Sequence, residues 1–245
     1  MPLISIITVV YNDYNGLKQT LSSVEEQSRK DDFEHVIIDG HSTDNTLSLI
    51  KNNANISRYI SEKDDGIYDA MNKGINLSTG KWIIFLNAGD VFYNKNVIKN
   101  VLEHLLGIPD DINFVFGQCL CNDVKYDQNL SIKYLTSHMI NHQSIFYKRE
   151  LFNESLYSTS YRYCADYKHL LDNYSKIRFR KLNFIVSIFD GTGISSQVSN
   201  KYKMWIERLK AVWGTHLPII TKVQLSQRGI LSLPYQYIRA KLITK

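Results

Sequence analysis

The run Trp82-Ile83-Ile84-Phe85-Leu86 carries no polar residue, and a strand that reads this way must be covered on both faces. It ends in Asn87-Ala88-Gly89-Asp90, small residues and a carboxylate where open α/β sheets receive ligands at their strand ends. Just upstream, Ile67, Met71 and Ile75 recur every fourth residue, which predicts a helix with those side chains on its buried face. Asp64 and Asp65 stand where they can cap that helix, because its free N–H groups favour carboxylates. Gly80 supplies the turn between helix and strand. A strand that needs cover on both faces cannot stand alone, so the rest of the chain must provide helices and neighbouring strands.

The preceding sequence provides them in alternation. Leu3 to Val10 reads as a β-branched strand, and Leu17, Leu21 and Val24 mark the helix after it. Glu34 to Asp39 reads as a second strand. Ser42 or Asp44 can cap a helix bearing Leu47 and Ile50, and Arg58 to Ser61 is a short third strand. This order predicts an α/β fold, a Rossmann-like, mostly parallel sheet flanked by helices. Right-handed crossovers then bring Tyr11-Asn12, Asp39, Ser61-Glu62 and Asn87–Asp90 to one rim.

Beyond Asp90 the pattern is less regular. We expect a helix at Val97, Val101 and Leu105, strands over 112–120 and 142–148, and a short helix through Leu151 and Phe152. A helix through Tyr167 and Leu171, strands over 177–182 and 184–189, and a polar loop over 190–196 follow. Trp205, Leu209 and Val212 mark a later helix. The expected division is one domain over 1–196, with a first half to about 95 and a second half over 96–196. Residues 197–245 form a basic helical C-terminal appendage.

Charge singles out that appendage. The net charge is +5, yet no acid follows Glu207 while seven Lys and Arg do, leaving 22 basic against 24 acidic residues before it. Such a tail suits anionic lipid or phosphate-bearing substrates. No zinc-finger spacing, RNP-like segment or helix-turn-helix signal accompanies it, so no nucleic-acid partner is expected. Three cysteines make no disulfide framework; Cys119 and Cys121 alternate on a strand as buried thiols. His138 and His142, four apart, would suit a metal only on one helix with a third ligand. No run is long enough to span a bilayer, and the N-terminus reads as a strand rather than a signal peptide, so a cytoplasmic location is expected.

The segments ISIITVVYND, VIIDGHSTDNT, Asp64–Asp90 ending in FLNAGD, HQSIFYKREL and ADYKHLL, in this order, resemble glycosyltransferase family 2. The likeness runs from about Leu3 to Ser196 and is nearest the bacterial enzymes that assemble surface polysaccharides such as O-antigen or capsule. It implies a GT-A fold, a nucleotide-sugar donor and inverting transfer by one displacement, with Mn²⁺ or Mg²⁺ as cofactor. It implies Asp90 as the metal ligand, although Asn87 and Gly89 stand where the family often adds a second carboxylate. Asp39 matches the acid that accepts from the base N–H, which favours UDP, and Tyr11 could cover the base. Asp65, Asn72, Lys73 and Asn87 fall at the donor pocket, and His142 and Gln143 on the acceptor side. Asp166 matches the general base. A lipid-diphosphate-linked glycan acceptor, with the tail resting peripherally on the inner face of the plasma membrane, fits the family and the charge together. Two other classes stay open. A catalytically silent nucleotide-binding relative suits the reduced acidic motif. A dinucleotide oxidoreductase shares the sheet, but Tyr11-Asn12-Asp13 stands where its glycine-rich loop belongs.

Overall fold

The computed structural model describes residues 2–189, 191 and 198–243, those after Tyr237 as backbone only. The loop expected over 190–196 falls outside the described residues except for Gly191. So do the side chains of Ile238, Arg239 and Lys241 and the whole of Lys245.

The first half follows the expected alternation: β1 (Ile4–Val10), α1 (Tyr14–Glu25), β2 (Phe33–Asp39), α2 (Thr46–Lys51), β3 (Arg58–Ser61), α3 (Ile67–Leu77) and β4 (Trp82–Phe85). After it come β5 (Val91–Phe92), α4 (Val97–Leu105), β6 (Phe114–Cys121), β7 (Val124–Tyr126) and α5 (Ile132–Leu135). The chain continues through β8 (Ile145–Lys148), α6 (Ala165–Asp172), β9 (Phe179–Ile188), α7 (Lys201–Trp213) and α8 (Ile219–Ile243). One sheet runs β3-β2-β1-β4-β8-β6-β9-β5, with β7 on β6. β1 pairs in parallel with β2 and β4, and β2 with β3, so four strands end on one edge. β8 then runs antiparallel between β4 and β6.

Contacts divide the chain into two units. The first, Met1–Asp127, Asn141–Leu156 and Ile177–Asp190, holds the sheet. Its core packs Ile98, Val101 and Leu105 of α4 against Ile4, Ile84, Phe146 and Val186. A second cluster joins Leu17 and Leu21 of α1 to Ile37 and Ile50. α3 lies so close to β1 that a Cβ on Gly74 would stand 2.4 Å from Ile7 Cγ2. Inside this unit the His35 ring is buried with Nε2 2.9 Å from Thr8 Oγ1, whose own hydrogen goes to Leu86 O at 2.7 Å. The imidazole is therefore the donor. Burial alone pulls its pKa from 6.5 to about 3, so the ring stays neutral.

The second unit, Gln128–Ile140, Tyr157–Lys176 and Gly191–Lys245, is helical. Here the tail is fastened by two adjacent residues of α7. Glu207 accepts from the backbone N–H of Arg162 at 2.9 Å and of Tyr163 at 2.8 Å, just before α6. Arg208 is 3% exposed; its guanidinium donates to Leu135 O and His138 O and lies 4.2 Å over the Tyr167 ring.

Several local expectations are corrected. α3 is capped by Gly66 at φ +117, with no side-chain cap; Asp64 and Asp65 do not fill that place. Ile67 is 39% exposed, and Tyr68 takes the buried position beside Met71 and Ile75. At α2 it is Asp44 whose carboxylate accepts from Thr46 N–H. Residues 142–144 are a 3₁₀ turn, not strand, because His142 is turned to the rim. The two strands expected over 177–189 are one, β9, whose exposed Asn183 made it read as broken. His138 follows α5 while His142 opens that 3₁₀ turn, so they do not share a helix.

Candidate active site

The parallel strand ends of the first unit are stitched to one another by short side chains. Asp39, 0% exposed at the end of β2, accepts from Ser42 Oγ at 2.5 Å, from Ser42 N–H and from Ser61 Oγ at 2.6 Å. Ser42 Oγ accepts in turn from Asn12 N–H at 2.8 Å, and Asn12 Oδ1 accepts from Thr43 N–H at 2.8 Å. Asn12 and His41 hold this corner at φ +50 and +66, the left-handed region that non-glycine residues seldom occupy. The Ser42 N–H lies 3.2 Å from both carboxylate oxygens, so each oxygen of Asp39 has two contacts, and a further donor has to take the place of one of these.

Gly40, next to that carboxylate, lets Asp64 and Tyr11 pack directly on the backbone. A Cβ at this position would lie 2.8 Å from Asp64 Oδ2 and 3.3 Å from Tyr11 Cδ2. Burial pushes the Asp64 carboxyl above its ordinary value, against the Gly66 N–H and Lys73, which pull it down. Tyr11 is 65% exposed, a large ring standing in solvent over a backbone without a side chain. With its inner side packed on Gly40, the ring offers its outer side for stacking.

The turn after β4 is pinned from α1. Thr20 Oγ1, fully buried, lies 2.8 Å from Asp90 O and accepts from Gly89 N–H at 3.1 Å. Asn87 Nδ2 meets His142 Nε2 at 3.1 Å, which joins the turn to the segment before β8. The other end of the same amide, Asn87 Oδ1, is buried without a hydrogen-bond partner. An orphaned buried acceptor costs about 1–3 kcal/mol, so it marks a place where a donor belongs. Asp90 is 5% exposed. Its charge reaches Cys119, whose thiol burial holds up at about 11.

The expected donor residues do not all stand alike. Lys73 bridges Glu62 at 2.9 Å and Asp69 at 3.3 Å and donates to Lys63 O at 2.9 Å. Burial pulls its ammonium down, but those two carboxylates outweigh it and hold it above its ordinary value. Asp65 is exposed, and its backbone N–H donates to Asp69 Oδ2 at 3.0 Å. Asn72 is 9% exposed on α3, and Gln143 is half-buried beside His142. Asp166 stands in the second unit, in the first turn of α6, 6% exposed, with Oδ1 accepting from Tyr167 N–H at 2.8 Å. The sequence reading saw Asp64 and Ser42 only as caps, brought Ser61 to the rim without a role, and passed over Thr20. Thr20, on the face of α1 that carries Leu17, Leu21 and Val24, was the legible signal: a hydroxyl buried among apolar neighbours needs a partner.

Among the described residues no group of three His, Cys, Asp or Glu gathers to hold a metal ion. Asp90 beside a turn with an open amide oxygen fits the other kind of site, where one or two protein oxygens and substrate phosphates share a hard cation. No described helix is long and apolar enough to cross a membrane.

Known proteins agree with this geometry. A relative from Mycobacterium bovis (strain BCG / Pasteur 1173P2), "PGL/p-HBAD biosynthesis glycosyltransferase", is 34% identical over 178 residues, covering 68% of this chain and 67% of its own length. The solved structure of S. aureus TarS 1-349 in complex with UDP-GlcNAc superposes with TM-score 0.72 at 17% identity, over 94% of this chain and 72% of that one. Mannosyltransferase PcManGT from Pyrobaculum calidifontis, solved with GDP-Man and Mn²⁺, gives TM-score 0.69 at 15% identity over 98% of this chain and 73% of its own. Both likenesses show the fold, which is the GT-A fold that the family resemblance implied. The family description "Glycosyl transferase family 2" matches residues 5–165, and the chain belongs to that family of glycosyltransferases.

Proposed function

We propose that this glycosyltransferase moves one sugar from a UDP-sugar to a growing, lipid-diphosphate-linked glycan in surface polysaccharide synthesis, inverting the anomeric centre. The observation that carries the reading is the convergence on one sheet edge of Asp39, Gly40, Asp64 and Tyr11 with a turn whose Asn87 Oδ1 lacks a donor. The uracil ring stacks on the exposed side of Tyr11, and its imide N–H replaces a serine hydroxyl as donor to Asp39. Asn87 Oδ1 accepts from a hydroxyl of the donor sugar, while its amide stays with His142. Lys73 works through Glu62 and Asp69, fixing the segment before α3 that carries Asp64 and Asp65. Asn72, behind it on α3, completes the donor wall. Asp90 would hold Mn²⁺ or Mg²⁺ together with the diphosphate, and the cation would neutralise the charge of the leaving group. His142 and Gln143 position acceptor hydroxyls. Asp166 takes the proton of the attacking hydroxyl. The catalytic domain runs over 1–196, and the enzyme works at the inner face of the plasma membrane.

A thermal-shift screen of UDP-, GDP- and dTDP-sugars with and without Mn²⁺ tests this. A donor at 100 times its Kd stabilises by about 2.7 kcal/mol, roughly 5–10 °C for a chain of this size. One UDP-sugar should do so, and more strongly with Mn²⁺. A shift with GDP-sugars alone would overturn the base assignment, and a shift with NAD alone the whole reading.

A further inference from the structure

The last helix exposes the wrong face. On a turn of 3.6 residues, Leu225, Ser226 and Gly229 fall on the side packed within the second unit. A Cβ on Gly229 would sit 3.1 Å from Leu209 and 3.2 Å from Trp205 of α7, so that side is closed. The opposite side presents Ile220 at 71%, Leu231 at 81% and Tyr235 at 62% exposure, flanked by Val223 and Ile230, with the uncharged Gln224 and Gln227 between Ile220 and Leu231. A solvated helix face is normally charged. From Ile219 to Tyr237 this one has no acid, and Lys222 and Arg228 stand off its centre.

A cleft of about 340 Å³ runs beside it, between α5 and α8. Lys133, Thr136 and Ser137 line one wall, and Arg228 and Leu231 the other. Arg228 donates to Ser137 Oγ, which holds the guanidinium at the cleft. No acidic residue lines it. Two cations and two hydroxyls without a counter-charge suit a phosphate, with Gln224 and Gln227 as further uncharged donors and Leu231 at the cleft's edge.

We propose that this face of α8 and its cleft form a docking surface for an anionic phospholipid bilayer. Ile220, Leu231 and Tyr235 enter the acyl boundary while Lys133 and Arg228 take lipid phosphates. A second copy is the poorer occupant, because self-pairing would bring four cations together with no acid to meet them. The purpose of the surface rests on the lipid-linked acceptor proposed above, but its residues are separate from the sheet-edge site.

Flotation of the full chain with phosphatidylglycerol-containing and with pure phosphatidylcholine vesicles tests it. Binding should be confined to the anionic vesicles and weaken with salt. Lys133→Gln with Arg228→Gln should lower it about 25-fold, roughly five-fold for each cation at the surface. Ile220→Asp with Leu231→Asp should abolish it at an unchanged melting temperature, since both side chains are exposed. The proposal is overturned by vesicle binding that these variants leave intact. It is equally overturned by stabilisation with inorganic phosphate without vesicle binding, or by a wild-type dimer that Leu231→Asp turns into a monomer with no lipid bound. UDP-sugar stabilisation, measured in parallel, reports the sheet-edge site alone, so either conclusion can fail without the other.

Discussion

Lowering the pH from about 7.5 to 5.0 should unlock the sheet beneath the donor site through one histidine. His35 titrates at 6.5 when unfolded and at about 3 when buried. The folded state keeps it neutral while the unfolded chain takes a proton, so its contribution is whole above pH 6.5 and is lost as pH falls towards 3. Linkage over that interval gives about 2 kcal/mol lost by pH 5.0. The neighbouring Glu34 does not confuse this window. Burial raises its carboxyl, but N–H and hydroxyl donors from Thr79, Ser5 and Gly80 outweigh it and hold it below 4.5, so its share is lost only at lower pH. The comparison is between wild type and His35→Gln, each unfolded in urea and followed by circular dichroism at several pH values. The variant costs stability at pH 7.5, because the bond to Thr8 is lost or lengthened. The gap between the two should then narrow by about 2 kcal/mol at pH 5.0. Parallel curves across this range would refute the argument that burial holds the ring neutral.

Asp90→Asn should keep the fold and lose Mn²⁺-dependent nucleotide affinity; unchanged affinity with Mn²⁺ by calorimetry removes Asp90 from the cation. Asp166→Asn should cut transfer by about 10²–10⁴ while donor affinity holds, with an inverted product by NMR; retention of configuration rejects the base assignment. Gly80→Ala should destabilise by about 2–3 kcal/mol in urea. Its Cβ would fall 2.7 Å from Ser5 N and 2.8 Å from Ile4 C, both backbone atoms that cannot turn aside.

The parts of the fold that could be read in advance are those written as runs of wholly or mostly apolar residues. Trp82–Phe85 and Ile4–Val10 are wholly buried, and burial on two faces leaves a continuous signature. β5 and β7, of two and three residues, are too short for any periodicity. The convergence of strand ends on one edge was legible because parallel strands put their ends together whatever the side chains are. Its refinement was not. Asp64 reaches the site only because Gly66 at φ +117 starts the helix two residues later and frees the carboxylate to face Gly40. Arg208 looked like one more cation of a basic tail. Its burial depends on carbonyls at 135 and 138, more than 60 residues away in sequence, which no local pattern reveals.

The order of the strands also governs when this enzyme can come into being. The turn that bears Asn87 and Asp90 is held by His142, and Val91 and Phe92 pair with Ile188 and Ser187. On the ribosome, at roughly 5–20 residues per second, the first four strands emerge many seconds before those partners do. For that interval β4 has β1 on one side and a bare edge on the other, in the most apolar stretch of the chain. The nascent chain is thus most prone to mispairing just after its donor-side strands are made, and a ribosome that pauses between residues 90 and 140 prolongs that exposure.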